Sequence, residues 1–305
     1  MGLNTLKNLI KHKLLSVKPN GQYNFLTKKI HKKLDIDLAS KVLNTDYFKE
    51  VLVPQPIKYK NWKKIVVFAP HQDDEAIGCG GLLHQVSQIN CEIDLVFLTD
   101  GRPLGKDAEK MVKTRLEESK KVVKKLNANL INIEINNVNL DVDKQKFNQV
   151  LRLLDNNYDA IFTTWVLDSP PKHRLCNFLL SNVFKKADLN PSTQIFTYQV
   201  HTALIPNVYI DYTEHFQEKQ DLINIYQSQM VAQNYSHLSA GLDAWNSRFL
   251  PWSSNKRYVE IYHQIPLNVF QELISSYEYN LSETFKGNEN CINSYRNIKL
   301  LYQNN

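Results

Sequence analysis

Apolar residues along this chain alternate between two kinds of run. Short unbroken stretches rich in β-branched and aromatic residues occur at 65–69 (IVVFA), 93–99 (IDLVFLT), 130–135 (LINIEI), 160–165 (AIFTTW) and 194–200 (QIFTYQV). Each is the length of a strand, and the nearly continuous hydrophobicity predicts strands covered on both faces. Between them the apolar positions spread to steps of three and four. Val112, Leu116, Val123 and Leu126 mark a helix over 107–126, and further helices are predicted at 143–155, after His173 and at 214–232. Strands alternating with helices imply right-handed crossovers, hence an α/β, Rossmann-like, mainly parallel sheet with helices on both faces.

The first strand runs into the densest chemistry of the chain, the string IVVFAPHQDDEAIGCGG over residues 65–81. Pro70 stops the strand. His71 and Asp74, three apart, are close enough to bind one cation, while Asp73 between them is free to take a proton from a bound water. Gly78, Gly80 and Gly81 predict a tight turn packed close to the strand. A plainer reading stays open on spacing alone: Asp73, Asp74 and Glu75 also suit a helix N-terminus, where carboxylates cap free N–H groups and meet the macrodipole.

The order of the string resembles the (A/P)-H-P-D-D-E-x-x-G-x-G-G signature of the PIG-L/LmbE-like family. These are the zinc-dependent N-acetylglucosamine deacetylases, including the glycosylphosphatidylinositol-precursor de-N-acetylases and their bacterial relatives. Gln72 stands where the family has proline. Collinear matches extend over about residues 62–265. Phe97-Leu98-Thr99-Asp100-Gly101 is similar to a strand ending in T-D-G, and Arg115 with Glu118 to an R-x-x-E helix. DSPPKHR at 168–174 looks like a departed form of D-x-H-P-D-H-R. Tyr198-Gln199-Val200-His201-Thr202, Pro206-Asn207, Ile210-Asp211, Lys219 and Tyr226-Gln227-Ser228-Gln229 follow the family order.

The resemblance implies one zinc ion per chain, held by His71, Asp74 and His173, with Asp73 as general base. It implies Arg115 on the substrate side, with Asp100 beside it or one layer behind. Two histidines and one carboxylate leave a coordination position for water, as a hydrolytic zinc requires. One departure bears on mechanism: the first His of D-x-H-P-D-H is Pro170 here, and the following Asp is Lys172. The vacant role of oxyanion stabiliser or leaving-group acid has two sequence candidates, Lys172 on the same loop and His201 at the end of another strand.

Composition limits the rest. The 305 residues, 43% of them hydrophobic, suffice for one large core plus extensions, without repeats. Cys79, Cys91, Cys176 and Cys291 are scattered without C-x-x-C spacing, and neither a signal peptide nor an 18-residue apolar run is present. A reducing cytoplasm is expected. The net charge of +6 is concentrated at the start: residues 1–64 hold fourteen lysines against four acidic residues. Leu3, Leu6, Ile10 and Leu14, with Lys7, Lys11 and Lys13 around them, predict a basic amphipathic helix that either docks on the catalytic domain or lies on an anionic membrane. Without stacking aromatics or a reader motif, this basic stretch is no nucleic-acid site.

These features predict a basic helical extension over 1–60 and a catalytic domain over 61–305, with its core at about 62–265 and a C-terminal extension. The expected activity is zinc-dependent hydrolysis of the N-acetyl group of an N-acetylated amino sugar or glycoconjugate, releasing acetate. Two other classes stay open: a metal-dependent glycosyltransferase using a nucleotide sugar, in which D-D-E binds the metal, and a catalytically impaired sugar-binding homologue. The sequence leaves the oligomeric state and the sugar undetermined.

Overall fold

The computed structural model describes residues 38–42, 54–187, 189 and 193–303. The expected basic amphipathic helix lies outside the described residues. Eight strands, β1 (Gln55–Pro56), β2 (Lys64–Ala69), β3 (Glu92–Thr99), β4 (Asn129–Ile135), β5 (Ala160–Thr164), β6 (Gln194–Tyr198), β7 (Val208–Asp211) and β8 (Val259–Pro266), form one sheet. Its order is β1-β7-β8-β6-β5-β2-β3-β4. Every neighbouring pair is parallel except those of β8, which runs antiparallel to both β6 and β7.

The longer helices are α1 (Asp74–Ser87), α2 (Ala108–Leu126), α3 (Lys144–Leu153), α4 (Pro171–Lys186), α5 (Phe216–Ile225), α6 (Tyr235–Asn246), α7 (Leu267–Ser275) and α8 (Glu289–Gln303). They cover both faces because β2 is apolar on both. Ile65, Val67 and Ala69 join an apolar cluster with Leu82, Leu83 and Val86 of α1 and Val122 and Leu126 of α2. Val66 and Phe68, pointing the other way, join Phe147 and Val150 of α3 and Leu179 and Val183 of α4.

From β2 the chain winds outward through β3 to β4, then returns to place β5 on the other side of β2. The connections at the carboxyl ends of β2 and β5 therefore diverge. Open α/β sheets bind ligands in the crevice at such a switch point.

Two expectations change. Gly78, Gly80 and Gly81 lie inside α1 rather than in a turn. A Cβ on Gly78 would come within 2.2 Å of the Tyr198 ring, and one on Gly81 within 2.5 Å of Tyr212, so the glycines let the helix lie flush on its neighbours. The expected 214–232 helix is broken at Tyr226, where ψ is 56° and the Tyr226 hydroxyl donates to buried Glu75. Gln55–Pro56, within the expected N-terminal extension, pairs with β7, and Leu38 and Val42 are buried in the core. The C-terminal segment is equally integrated: Tyr295 of α8 stacks on Phe178 with ring centres 4.0 Å apart. No described helix is long and apolar enough to cross a membrane.

Candidate metal centre

The loop after β2 is held in place before any ion is considered. The Gln72 side-chain amide donates to the Thr99 carbonyl at 3.0 Å, and the Thr99 hydroxyl donates to Pro70 O at 2.8 Å, tying the ends of β2 and β3 together. Asp73 then takes φ 127°, ψ −29° as the residue preceding α1. A non-glycine residue in that region carries strain of about 1–3 kcal/mol, typical of side chains that a fold holds in place for a task. The strained turn leaves Asp73 half-buried and points buried Asp74 inward from the first turn of α1.

Three donor atoms converge at the switch point. His71 Nδ1 lies 3.2 Å from Asp74 Oδ2 and 3.2 Å from His173 Nε2, and His173 Nε2 lies 3.4 Å from Asp74 Oδ2. A tetrahedral ion with bonds of about 2.0–2.1 Å separates its ligands by about 3.3 Å, so the triangle already has the required size.

The tautomers follow from the far side of each ring. His173 Nδ1 is 2.8 Å from Asp168 Oδ2, and His71 Nε2 is 3.0 Å from Asn137 Oδ1. The Asn137 amide nitrogen donates to Arg102 O, which fixes its oxygen toward His71. Both outer nitrogens therefore carry protons and donate, so that once His173 gives up its inner proton two imidazole lone pairs and a carboxylate oxygen face one another. The chemistry of the donor set fits zinc.

Electrostatics agrees. Burial alone would raise the Asp74 carboxyl, but His173 and the His71 hydrogen bond outweigh it and hold Asp74 ionised. Burial lowers His71 and keeps it neutral. His173 would also be lowered by burial, yet Asp74 and Asp168 raise it, so an entering ion must displace a proton there. Asp73 is pushed well above the ordinary carboxylate range, first by burial and then by the adjacent Asp74 charge. A carboxylate so raised holds a proton more readily than an ordinary one.

The other expected site residues surround this triangle. His201, exposed at the carboxyl end of β6, stands with its ring centre 5.5 Å from that of His173. Its backbone N–H and that of Thr202 donate to Asp168 Oδ1 at 3.1 and 2.9 Å, so one carboxylate sets both histidines. Lys172 is half-buried and donates to Asn137 O at 2.5 Å, which supports the residue that orients His71. Asp100 accepts from Arg102 at both carboxylate oxygens and from the Asn137 N–H at 2.9 Å. Its carboxylate holds the Asn137 loop.

Arg115 and Glu118 grip one strap. The Arg115 guanidinium donates to the Gln229 side chain, while Glu118 accepts from the Ser228 N–H and hydroxyl at 2.9 and 2.6 Å. Arg115 also lies near enough to Asp73 to lower it, against the raising influences of burial and Asp74. Lys219 is committed elsewhere, to Asp243 at 2.7 Å and Glu260 at 2.8 Å, under the glycine face of α1.

Residues 66–184 match the profile of the family described as PIG-L: GlcNAc-PI de-N-acetylase. The chain carries a PIG-L domain. No curated protein matches its sequence. Among solved structures the PIG-L domain and its surroundings resemble N,N'-diacetylchitobiose deacetylase from Pyrococcus horikoshii, with a TM-score of 0.59 and 19% identity over 76% of this chain and 93% of that one. The 4-carboxy-2-hydroxymuconate hydratase GalB from Pseudomonas putida gives a TM-score of 0.57 at 16% identity, covering 67% of this chain and 96% of the other. An A40926 pseudoaglycone deacetylase gives 0.50 at 14% identity, over 67% and 98%. At these identities the likeness establishes the fold. Since a hydratase shares it, the reaction must be argued from the site.

Asn137, Asp168 in its orienting role, and Tyr235 were not singled out from the sequence. Tyr235, partly buried at the start of α6, lies within electrostatic reach of Asp73, Asp74 and Arg115, and burial followed by the Asp73 charge raises its phenol. Asn137 follows β4 in an Asn-Asn turn, and that position at a strand's carboxyl end was the one available signal.

Proposed function

We propose that the protein is a zinc-dependent N-deacetylase acting on an N-acetylglucosamine-type conjugate. The observation that carries this reading is the three-donor triangle of His71, Asp74 and His173 with the proton-accepting carboxylate of Asp73 beside it. A zinc ion held there would polarise the acetamide carbonyl and lower the pKa of a water bound in its open position.

Asp73 accepts the proton of the attacking water, its affinity for protons raised by burial and by the adjacent Asp74 charge. His201, with its ring centre 5.5 Å from that of His173, is proposed to donate to the carbonyl oxygen or to the departing amine. Lys172 is proposed as a positioning residue, because its ammonium is engaged by Asn137 O. Arg115 and Tyr235 form the substrate side, with polar groups for sugar hydroxyls or a phosphate, while Asp100 steadies the Asn137 loop behind His71.

The family profile and the deacetylase neighbours support the acyl-transfer chemistry, and the family description supports a GlcNAc-type substrate. Four free cysteines, three of them buried, support a reducing cytoplasmic compartment. The direct test is acetate release from a panel of N-acetylhexosamine conjugates differing in aglycone. Release of acetate and free amine in equal amounts from at least one supports the assignment, whereas addition of water across a carbon–carbon double bond without amide cleavage contradicts it.

A further inference from the structure

Ten residues beyond Asp74 on α1, His84 faces a second group of metal-competent side chains. Its ring centre lies 4.9 Å from that of His215, at an interplanar angle of 51°. With the Glu218 carboxylate, the two imidazoles offer three ligand atoms within 4.8 Å of one another, a condition otherwise met among the described residues only by the catalytic trio. Along α1, at about 1.5 Å per residue, the two groups are about 15 Å apart.

No hydrogen bond or ion pair among the described residues engages the rings of His84 and His215 or the Glu218 carboxylate. All three are half-buried, which removes part of their hydration while leaving access for an ion. His215 also lines an open cleft with Gln85 and Glu214. Among the described residues, the two imidazoles and the carboxylate face one another with no other side-chain partner.

We propose that His84, His215 and Glu218 form a second divalent-metal site, selective for zinc or a similar borderline-soft ion, that clasps the end of α1 to the start of α5. The donor set argues the class of ion: imidazole nitrogens suit zinc, nickel or copper, whereas calcium and magnesium take oxygen ligands. Bonds of about 2.0–2.2 Å need donors about 3.3 Å apart, and small rotations of three half-exposed side chains close the present gap. His215 and Glu218 supply one side from a single turn, and His84 supplies the other from a helix 131 positions earlier. The ion would thus cross-link distant parts of the chain, and its fourth ligand is water.

The test is a zinc titration of the metal-stripped full-length chain by calorimetry, with thermal melting alongside. The His71→Ala/Asp74→Ala variant is expected to bind one equivalent still and to melt higher when zinc is added. Adding His84→Ala and His215→Ala to it abolishes both effects. In the otherwise unaltered chain, His84→Ala/His215→Ala lowers the stoichiometry by one and leaves the catalytic ion in place, which covers the case in which the first variant fails to fold. The proposal is overturned if the four-substitution variant takes up as much zinc as its parent, or if His84→Ala/His215→Ala leaves the stoichiometry of the chain unchanged.

Discussion

Asp168 accepts the Nδ1 proton of His173 at 2.8 Å and so turns Nε2 toward His71 and Asp74. The same carboxylate receives the backbone N–H groups of Ser169, His201 and Thr202 on its other oxygen. Partners behind a ligating histidine fix its tautomer and basicity, and their loss costs about 10–100-fold in metal affinity. Asp168→Asn is therefore expected to weaken zinc binding by that factor, read by competition with a chromophoric chelator. Unchanged affinity would remove Asp168 from the orienting role.

Base and ligand separate at neighbouring positions. Asp73→Asn is expected to retain zinc and to lose about 10²–10⁴ in kcat, the range for a positioned general base. Metal analysis and turnover on the same preparation distinguish this from Asp74→Ala, which loses the ion. Should Asp73→Asn lose the zinc and recover full turnover on reloading, the two roles would be reversed.

The position of the family's missing histidine is occupied by Pro170, which precedes α4 and carries no donor of its own there. His201→Ala is expected to reduce kcat by about 10²–10³ with metal retained, as for removal of an oxyanion donor. Lys172→Ala should instead act through Asn137 and His71, weakening zinc binding more than turnover of the loaded enzyme. Equal, small effects of both on kcat would leave the carbonyl oxygen to the ion alone.

A pH dependence independent of the metal comes from His263 on β8. Burial holds its imidazole down to about 4 from the ordinary value of 6.5, while its Nδ1 donates to Ile205 O. Between those values the unfolded chain binds the proton and the folded chain does not, so stability rises with pH across that window and is lost as pH falls through it. The 2.5-unit interval corresponds to roughly 3 kcal/mol. Denaturant unfolding of the metal-free protein at pH 4 and pH 7 should show this loss, and His263→Asn should remove most of it. An unaltered pH slope in the variant would assign the acid sensitivity elsewhere.

The parallel half of the fold was legible because each of its strands is apolar on both faces and separated from the next by a helix-period segment. The β7 and β8 pairing was not: Val259–Pro266 has strand composition, but only the long connection from β7 decides that it enters antiparallel between β6 and β7. At the site, local spacing indicated His71, Asp73 and Asp74, whereas His173 needed the family resemblance because its partners are 102 positions away. Asn137 and Asp168 act through hydrogen bonds to other side chains, and no periodicity encodes those. Glycine disfavours helix interiors by about 1 kcal/mol, so a glycine triplet inside α1 is not legible locally; the close approach of Tyr198 and Tyr212 is a tertiary demand that overrides the cost.

The central claim is that a cation in the His71, Asp74 and His173 triangle makes this protein an amide hydrolase. It is tested most directly by measuring acetate release from an N-acetylglucosamine conjugate with the metal-stripped chain as zinc is added back, in parallel with the His71→Ala/Asp74→Ala variant. The expected result is activity that rises from background to a plateau as the catalytic site fills, with none in the variant at any zinc concentration. Acetate release that persists in the stripped protein, or equal activity in the variant, would contradict the account.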